Sequence, residues 1–258
     1  ITGEISWWME RASNKAKILS NFVAAYRRGL GTPQLTLANQ CAIEDANSHK
    51  RTLLDQQDDF QKFFDACMAG FIQLSLRAYG LGKEGYVEWA AEATFDRPIH
   101  VITSVGVTAK IARSAGFLQG SAFSCKVVNF VAGILVMFLW IKVQFRPKSD
   151  TQGNFVRRAG YVLAQGGGLI AATSFCDDSN RFASTLADCV LGVVLFGIFC
   201  IVSGIGRSNK DSSVLAVNLN LDEELEGCTA AEAKLLERHF DRKTMTISSL
   251  AHERDARG

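Results

Sequence analysis

Three long uncharged stretches dominate the hydropathy pattern of this chain. They cover residues 127–141, 159–176 and 182–206, and Asp188 is the one charged residue inside them. A hydrocarbon core of about 30 Å needs about 20 predominantly apolar residues in a helix, and the stretches approach or exceed that length. The pattern therefore predicts three transmembrane helices.

Two shorter apolar runs are candidates for a fourth crossing. Residues 63–76 contain Asp65, and residues 98–112 contain Lys110 near their end. Runs of about 10–15 residues suit an interfacial or protein-buried helix better than a lipid-facing span. We therefore predict three spans, with four as the alternative.

The polar N-terminal part of the chain is predicted to be helical. Within residues 5–30, apolar residues recur at every fourth position from Ile18 to Tyr26, and Gly29 suits the C-terminal end of this helix. Residues 36–65 predict a second, more polar helix. Its acids include Asp55, Asp58 and Asp59. No strand alternation persists anywhere, so no sheet is expected.

A further helix is predicted near the C-terminus. Thr229 and Glu232 match a capping box, which begins a helix that continues to about Arg242. Leu236 and Phe240 give this helix one apolar face. Because a single amphipathic helix cannot form a core of its own, we expect it to dock on another element.

These elements together predict an all-α, multi-span helical membrane protein with helical polar arms at both ends. The predicted regions are a polar helical region at residues 1–97, a transmembrane region at residues 98–207, and a polar tail at residues 208–258 with one amphipathic helix. The connection at residues 142–158 holds five basic residues and one acid. By the positive-inside rule it faces the cytoplasm or the equivalent compartment of an organelle.

Composition and charge restrict the classes of function. Hydrophobic residues make up 48% of the chain and charged residues 21%, which excludes a disordered protein. The 28 basic and 26 acidic residues leave a net charge of +2, which is too balanced for a nucleic-acid-binding protein that works through a basic field. We therefore expect other membrane-protein subunits and the lipid bilayer as partners, and no nucleic acid.

The sequence holds no recognisable catalytic or metal-binding motif. The seven cysteines form no C-x-x-C pair, and there is no G-x-S-x-G elbow, Walker lysine or H-E-x-x-H array. We therefore predict no enzymatic activity, no cofactor and no metal. A membrane enzyme with a bound cofactor stays open through His100, which lies in a weak apolar run and is a candidate haem ligand.

Four small residues recur at a spacing of four in the second predicted span, and we call them the small-residue stripe. They are Gly160, Ala164, Gly168 and Ala172. On a helix, such a stripe lets another helix approach closely, which drives helix association in lipid. We therefore predict a helix–helix contact along the stripe, tightest at Gly168.

A second candidate site consists of polar residues within or beside the predicted spans. Asp188 is the one acid inside a span, and an intramembrane carboxylate indicates an ion contact, a proton relay or a buried pair. Its position near the start of the third span also suits the membrane interface. Lys126 and Asn129 lie at the edge of the first span and are candidate partners for Asp188 inside a bundle.

Part of the chain is similar to the late spans of choline-transporter-like proteins. Residues 106–117, the VVN at residues 127–129 with residues 137–138, and residues 169–171 occur in a similar order. This similarity implies a transporter or channel subunit. It conflicts with the basic connection described above, which the arrangement of that family would place outside the cell.

The predicted spans, the small-residue stripe and the lack of a catalytic motif indicate a non-catalytic accessory subunit of a multi-subunit membrane complex. Organellar respiratory and ATP-synthase assemblies contain many such subunits, so the mitochondrial inner membrane is the expected location. The alternative is a transporter or channel subunit in which Asp188, Lys126 and Asn129 line a path.

Overall fold

A five-stranded antiparallel sheet takes the place of the predicted helical bundle. The computed structural model describes residues 7, 9, 11, 19–20, 22–81, 85, 100–111, 115–116, 122–144, 160–164, 168–207 and 212–248. In this part of the chain the fold is mixed α/β, with several antiparallel sheets. The prediction of an all-α membrane bundle is therefore wrong.

Helices and strands are interspersed along the described chain. The helices are α1 (Thr32–His49), α2 (Phe63–Ala66), α3 (Ala69–Ala78), α4 (Ala122–Gln144), α5 (Leu186–Ser203), α6 (Leu221–Glu226) and α7 (Ala230–His239). The strands are β1 (Leu53–Gln61), β2 (Ile102–Thr103), β3 (Gly106–Val107), β4 (Tyr161–Val162), β5 (Leu169–Ile170), β6 (Ala172–Phe175), β7 (Asp178–Ala183), β8 (Gly206–Arg207), β9 (Ser213–Val217), β10 (Phe240–Asp241) and β11 (Thr246–Ile247).

β1 lies at the centre of the large sheet. It pairs antiparallel with β7 along one edge and with β9 and β8 along the other. At its two ends, Leu53 pairs with Val217 and Gln61 pairs with Gly206. β6 pairs with the far side of β7. One sheet therefore contains strands from all three of the regions that the hydropathy pattern separates.

Helices cover both faces of β1. Leu53 packs with Ala42 of α1 on one face, and Leu54 packs with Val190 of α5 on the other. Strand formation depends on packing and cross-strand contacts more than on local preference, so a polar segment becomes a strand when both of its faces are covered. The predicted helix over residues 36–65 is therefore wrong between α1 and α2, where β1 lies.

The second predicted span, residues 159–176, is not a helix. Its described residues, 160–164 and 168–176, contain β4, β5 and β6. β4 and β5 pair with each other, and β6 pairs with β7 in the large sheet. Periodicity alone does not distinguish a buried strand from a buried helix in a short apolar run. Here the available strand partners decide the conformation.

The other two predicted spans are helices that pack inside the protein. α4 and α5 contact each other, and aromatic rings fill the space around them. The ring centroid of Phe196 on α5 lies 5.0 Å from that of Phe60 on β1, and Phe130 on α4 lies 5.2 Å from Tyr79. Among the described residues, α5 is the one helix long and apolar enough to cross a membrane, and 56% of it is buried inside the protein.

Neither of the shorter apolar runs forms a continuous spanning helix. Residues 63–76 are divided between α2 and α3, with Cys67 and Met68 between them. In the other run, the described residues 100–111 contain the exposed hairpin β2–β3. The alternative of a fourth span is therefore wrong in the described part of the chain.

The predicted N-terminal helix over residues 5–30 does not extend to its predicted end. Its described helical residues are Trp7, Met9 and Arg11. Residues 22–31 form turns, and Gly29 has a φ of +77°. The backbone on both sides of Val23 hydrogen-bonds Ser174 of β6. Because these backbone groups pair with the sheet, the predicted helix does not continue to Gly29.

α7 confirms the predicted capping box. The hydroxyl of Thr229 accepts a hydrogen bond from the backbone N–H of Glu232, and the Glu232 carboxylate accepts one from the backbone N–H of Thr229. The helix ends at His239 rather than near Arg242, because β10 follows at once. Leu236 is buried against α5, so this amphipathic helix docks on its own chain.

Candidate functional site

A buried ion-pair cluster occupies the face of β1 that packs against α5. Asp58 of β1 pairs with Arg181 of β7 and with Arg207 of β8, whose Nε lies 3.0 Å from Asp58 Oδ1. The side chains of these three residues are 0%, 5% and 17% exposed, respectively. Because side chains alternate along a strand, Asp58 lies on the same face as Leu54 and Phe60. The cluster therefore joins three neighbouring strands beneath α5.

The surroundings of Arg181 offset part of the cost of burying its charge. Its Nη1 donates to the backbone carbonyl of Gly192 on α5 at 2.6 Å, and its guanidinium carbon lies 4.3 Å from the ring centroid of Phe196. Burial lowers the pKa of Arg181, and the carboxylate of Asp58 opposes that shift. Two guanidinium groups share one carboxylate, so the cluster as a whole is positively charged.

Gln56 lies on the same face of β1, two residues before the acid of the ion-pair cluster. It is 2% exposed, and neither Nε2 nor Oε1 of its carboxamide has a hydrogen-bond partner among the described residues. The side chain lies against α5, where a methyl group at Gly192 would make an ordinary contact, 3.9 Å from Gln56 Oε1. Buried polar groups are normally hydrogen-bonded, so the Gln56 carboxamide is an exception in the core between β1 and α5.

A cleft of about 590 Å³ opens beside Gln56, and we call it the Gln56 cleft. Its walls come from β1, β9, α5 and the C-terminal hairpin β10–β11. Polar lining residues include Arg207 and Ser213, and apolar ones include Phe240 and Met245. Ligand pockets in proteins typically measure about 300–1,000 Å³ and combine apolar walls with a few polar groups. The cleft therefore has the size and the chemistry of a small-ligand site.

A smaller cleft of about 330 Å³ lies beside Lys50, where α6 and α7 meet α5. Two of its acids already stabilise helix ends. Glu224 accepts a hydrogen bond from the backbone N–H of Leu186 at 2.9 Å, and Glu232 belongs to the capping box of α7. These carboxylates therefore have structural roles, and the Gln56 cleft is the stronger candidate site.

Asp55 is a second buried acid, on the face of β1 that is turned away from the Gln56 cleft. Asn180 Nδ2 donates to Asp55 Oδ1 at 3.3 Å. Burial raises the pKa of Asp55 to about 6, and hydrogen bonds from Gln57 and Asn180 oppose the shift. Because burial disfavours the charged form of a carboxyl group, Asp55 changes its protonation state at higher pH than an exposed aspartate.

The described residues contain no group of three or more His, Cys, Asp or Glu side chains that could hold a metal ion. His100, the candidate haem ligand, lies in an exposed segment, where its Nδ1 is 3.0 Å from the carbonyl oxygen of Thr108. The seven cysteines are free thiols. That the protein needs no cofactor and no metal stays a prediction.

The small-residue stripe does not form a helical surface. Gly160 precedes β4, Ala164 lies in the turn after it, Gly168 precedes β5, and Ala172 begins β6. Gly160 has a φ of +99°, and a methyl group there would lie 2.7 Å from the carbonyl oxygen of Ile170. A methyl group at Gly168 would make an ordinary contact, 3.4 Å from Leu163 Cδ1. The predicted helix contact at Gly168 is therefore wrong, and the close approach is between strands at Gly160.

Lys126 and Asn129 of α4 anchor a turn of the N-terminal segment. Lys126 Nζ donates to the backbone carbonyl of Tyr26 at 2.6 Å, and Asn129 Nδ2 donates to that of Ala25 at 2.5 Å. Asp188 lies in the first turn of α5, where its carboxylate accepts a hydrogen bond from the N-cap hydroxyl at 3.0 Å. The structure therefore places these residues in two local arrangements, and the predicted transmembrane path is wrong.

Reasoning from the sequence missed Gln56 and Asp58. Together with Leu54 and Phe60 they occupy alternate positions, which is the spacing of one strand face. Two polar residues at core positions hide the alternation, and no local signal identifies their partners. Arg181, which neutralises Asp58, lies 123 residues further along the chain.

Comparison with solved structures finds telomerase chains from two Candida species. Telomerase from Candida albicans in complex with a TWJ fragment of telomeric RNA matches with a TM-score of 0.51 and 10% identity, covering 83% of this chain and 34% of that one. Apo telomerase from Candida tropicalis, truncated from its C-terminal domain, matches with a TM-score of 0.49 and 9% identity, covering 85% and 41%. Telomerase from Candida tropicalis in complex with a TWJ fragment of telomeric RNA matches with a TM-score of 0.47 and 12% identity. The match covers 72% of this chain and 29% of that one. The present chain thus spans about a third of the Candida albicans chain.

No family model matches the chain, and no curated protein matches it in sequence. The likeness to Candida albicans telomerase, at 10% identity, therefore establishes a similar fold. That fold has a central antiparallel sheet where the predictions placed a membrane bundle.

The functional predictions are corrected by the same findings. The prediction of an accessory subunit of a respiratory or ATP-synthase membrane complex is wrong, and so is the alternative prediction of a transporter or channel subunit. The mitochondrial inner-membrane location and the membrane-subunit and lipid partners depended on the same spans and are wrong with them. The expectation of no nucleic-acid partner is also contradicted, because the structure with a similar fold is a telomerase in complex with RNA.

Proposed function

We propose that this chain is a nucleic-acid-associated domain that binds single-stranded RNA. The observation that carries the proposal is the similarity of its fold to the Candida albicans telomerase chain, which was solved with a fragment of telomeric RNA. Because the present chain spans about a third of that chain, the proposal concerns RNA binding and not the activity of a whole telomerase.

The Gln56 cleft supports the choice of single-stranded RNA. Proteins recognise single-stranded RNA through unstacked bases, which pack on aromatic side chains and form hydrogen bonds through their edges. The residues that line the cleft include an aromatic ring at Phe240 and a guanidinium group at Arg207. Among the described residues that line the cleft, none is acidic, so a phosphate group meets no like charge there.

The hairpin β10–β11 forms part of the cleft wall and carries exposed basic side chains in its turn. Phe240 of β10 and Thr246 of β11 line the cleft wall, and the turn between the two strands holds Arg242 and Lys243, both exposed. Asp241 is the one acid of this hairpin. Arg242 pairs with the exposed Asp222, so Lys243 is the side chain suited to a phosphate contact, which positions a nucleic acid without reading its sequence.

We propose binding without catalysis, and the ion-pair cluster supports this. Asp58 contacts Arg181 through one carboxylate oxygen and Arg207 through the other. A general base must come within hydrogen-bond reach of the proton that it removes. Because both oxygens of Asp58 lie beside guanidinium groups and its side chain is 0% exposed, this carboxylate does not reach a substrate.

The test is RNA binding that depends on the hairpin. Fluorescence anisotropy would be measured with a labelled single-stranded RNA of mixed sequence and with a duplex of the same length, at several salt concentrations. We expect Lys243→Glu to weaken single-strand binding several-fold. We also expect it to reduce the slope of log affinity against log salt by about 0.7 for each phosphate that the variant no longer neutralises.

Arg28→Glu is the matched control. It makes the same change of charge in the exposed part of residues 22–31, a segment that pairs with β6 at the far edge of the sheet. Its RNA affinity should equal that of the unmodified chain. Lack of RNA binding at a protein concentration of about 100 µM, where even non-specific binding is measurable, would overturn the proposed function.

A further inference from the structure

Two cysteines from distant parts of the chain meet at the side chain of Tyr26. Cys125 lies near the start of α4, and Cys176 lies in the turn between β6 and β7. The hydroxyl of Tyr26 is hydrogen-bonded to both thiols. Because both sulfur atoms contact the same oxygen atom, the two thiols are close neighbours in space. Both are free thiols in this structure.

Further contacts place Tyr26 between the two cysteines independently of its hydroxyl. Lys126, the residue after the first cysteine, donates from Nζ to the backbone carbonyl of Tyr26 at 2.6 Å. On the other side, the backbone N–H of Ala24 donates to the carbonyl of Ser174 at 3.0 Å, two residues before the second cysteine. α4 and β6 also pack on each other. A disulfide requires a close approach of the two backbones, and these contacts bring the two elements together.

The two thiols differ in their access to solvent. Tyr26 is 45% exposed, Cys125 is half-buried, and Cys176 is 8% exposed. Burial raises the pKa of Cys176, and the hydrogen bond from Tyr26 opposes the shift. The thiolate is the form that reacts with a disulfide, and a hydrogen-bond donor beside the sulfur stabilises it. Cys125 is therefore the thiol that a reagent in solution reaches first.

We propose, independently of RNA binding, that Cys125 and Cys176 form an oxidation site, which closes to an intramolecular disulfide by exchange with a small disulfide such as oxidised glutathione. The Cys125 thiolate attacks one sulfur of the reagent, forms a mixed disulfide and expels one glutathione thiolate. The Cys176 thiolate then attacks the Cys125 sulfur and expels the second. The protein loses two electrons and two protons, and one glutathione disulfide becomes two glutathione thiols. As the sulfur atoms meet, the exposed side chain of Tyr26 gives up its hydrogen bonds and turns toward solvent.

The test is a map of the disulfides that form in the folded full chain. The chain would be incubated with excess oxidised glutathione, quenched with acid, treated with an alkylating reagent, digested and analysed by mass spectrometry. We expect a linked pair of peptides that contains Cys125 and Cys176. Cys41, which is exposed on α1, should carry glutathione instead. Glutathione on Cys125 without a link to Cys176 would show that the two thiols do not meet and would overturn the proposal.

Cys176→Ser and Cys41→Ser form a matched pair of variants. With Cys176→Ser the reaction should stop at the mixed disulfide, so that Cys125 retains glutathione. With Cys41→Ser the link between Cys125 and Cys176 should form at the rate of the unmodified chain. If Cys176→Ser does not fold, Cys125→Ser replaces it, and the buried Cys176 should then take up glutathione about 10-fold more slowly than Cys125 does in the unmodified chain. Equal rates would contradict the order of attack and with it the proposal.

Urea unfolding of the oxidised and reduced chains gives a second measurement. The link joins α4 to the turn between β6 and β7 and closes a long loop, so it restricts the unfolded chain. With Cys41→Ser as the background, we expect the oxidised chain to unfold at a higher urea concentration than the reduced chain, and dithiothreitol to reverse the shift. An oxidised chain that unfolds at a lower urea concentration would mean that the folded structure holds the two sulfur atoms apart, and the proposal would be wrong.

Discussion

Replacing Asp58 tests whether the ion-pair cluster holds the central sheet to α5. Asp58→Asn removes the carboxylate that two arginines share and leaves Arg181 beside Arg207 without a counter-charge. The Arg181 side chain is 5% exposed and cannot turn to solvent without leaving its contacts on α5, whereas Arg207, at 17%, is nearer the cleft. The main cost therefore falls on Arg181.

The magnitude follows from this burial. Removing one partner of a buried ion pair typically costs about 3–5 kcal/mol, because the remaining charge is left in a poorly solvated site. Whole domains unfold with free energies of about 5–15 kcal/mol, so Asp58→Asn should remove a large part of the stability. Arg207→Met leaves the Asp58–Arg181 pair intact, and we expect it to cost less, about 1–3 kcal/mol.

The assay is equilibrium unfolding in urea, followed by tryptophan fluorescence and by far-ultraviolet circular dichroism. Equal slopes for the variants would show that the midpoints report changes in the free energy of unfolding. The double variant Asp58→Leu/Arg181→Met replaces the pair with apolar groups and should recover much of the loss. Asp222→Asn is the control, because its pair with Arg242 is 74% and 62% exposed and is worth about 1 kcal/mol or less.

Two results would refute this reasoning. A loss for Asp58→Asn no larger than that of the Asp222→Asn control would mean that the buried cluster is not a stabilising unit. A double variant less stable than Asp58→Asn alone would mean that Arg181 contributes through its packing on Phe196 rather than through its charge.

Two further predictions concern β1 and the β4–β5 hairpin. Burial raises the pKa of Asp55 from 3.8 to about 6 in the folded chain. Between about pH 4 and pH 6 the folded state therefore binds this proton more tightly than the unfolded state does, and the free energy of unfolding falls as the pH rises through that range. Asp55→Asn should flatten that part of the profile and raise stability near pH 7 by about 1–3 kcal/mol in urea unfolding, and an unchanged profile would contradict the assignment. Gly160→Ala should cost about 1–3 kcal/mol in thermal unfolding, because its φ is +99° and the added methyl would lie 2.7 Å from the Ile170 carbonyl oxygen. Gly168→Ala should cost less than about 1 kcal/mol. A larger loss for Gly168→Ala than for Gly160→Ala would contradict the close strand contact at Gly160.

Structure that depends on neighbouring residues was predictable from the sequence. The capping box joins Thr229 and Glu232, which are three positions apart, and α7 begins there as expected. α4 and α5 are helices within or around two of the long apolar stretches. In each case, the contacts that form the element lie within a few residues along the chain.

Structure that depends on distant residues was not predictable. β1 is rich in Asp and Gln, and it is a strand because β7, β8 and β9 pair with it and helices cover both of its faces. Arg181, the partner of Asp58, lies 123 residues away. The local sequence around Asp58 therefore gives no sign that this acid is buried and neutralised. The carboxamide of Gln56 has no hydrogen-bond partner because of how the sheet and α5 pack around it, and the residues next to it in the sequence do not indicate this.

The sequence by itself determined which residues avoid water. Residues 117–212 carry 9 basic and 5 acidic residues, and the apolar side chains among them have to be buried. Only the tertiary structure decided what buries them. The free energy of removing an apolar side chain from water depends mainly on the area removed, and hydrocarbon and a protein interior replace water almost equally well. Hydropathy therefore cannot distinguish a helix in lipid from α5, whose apolar surface packs on the sheet and on α4.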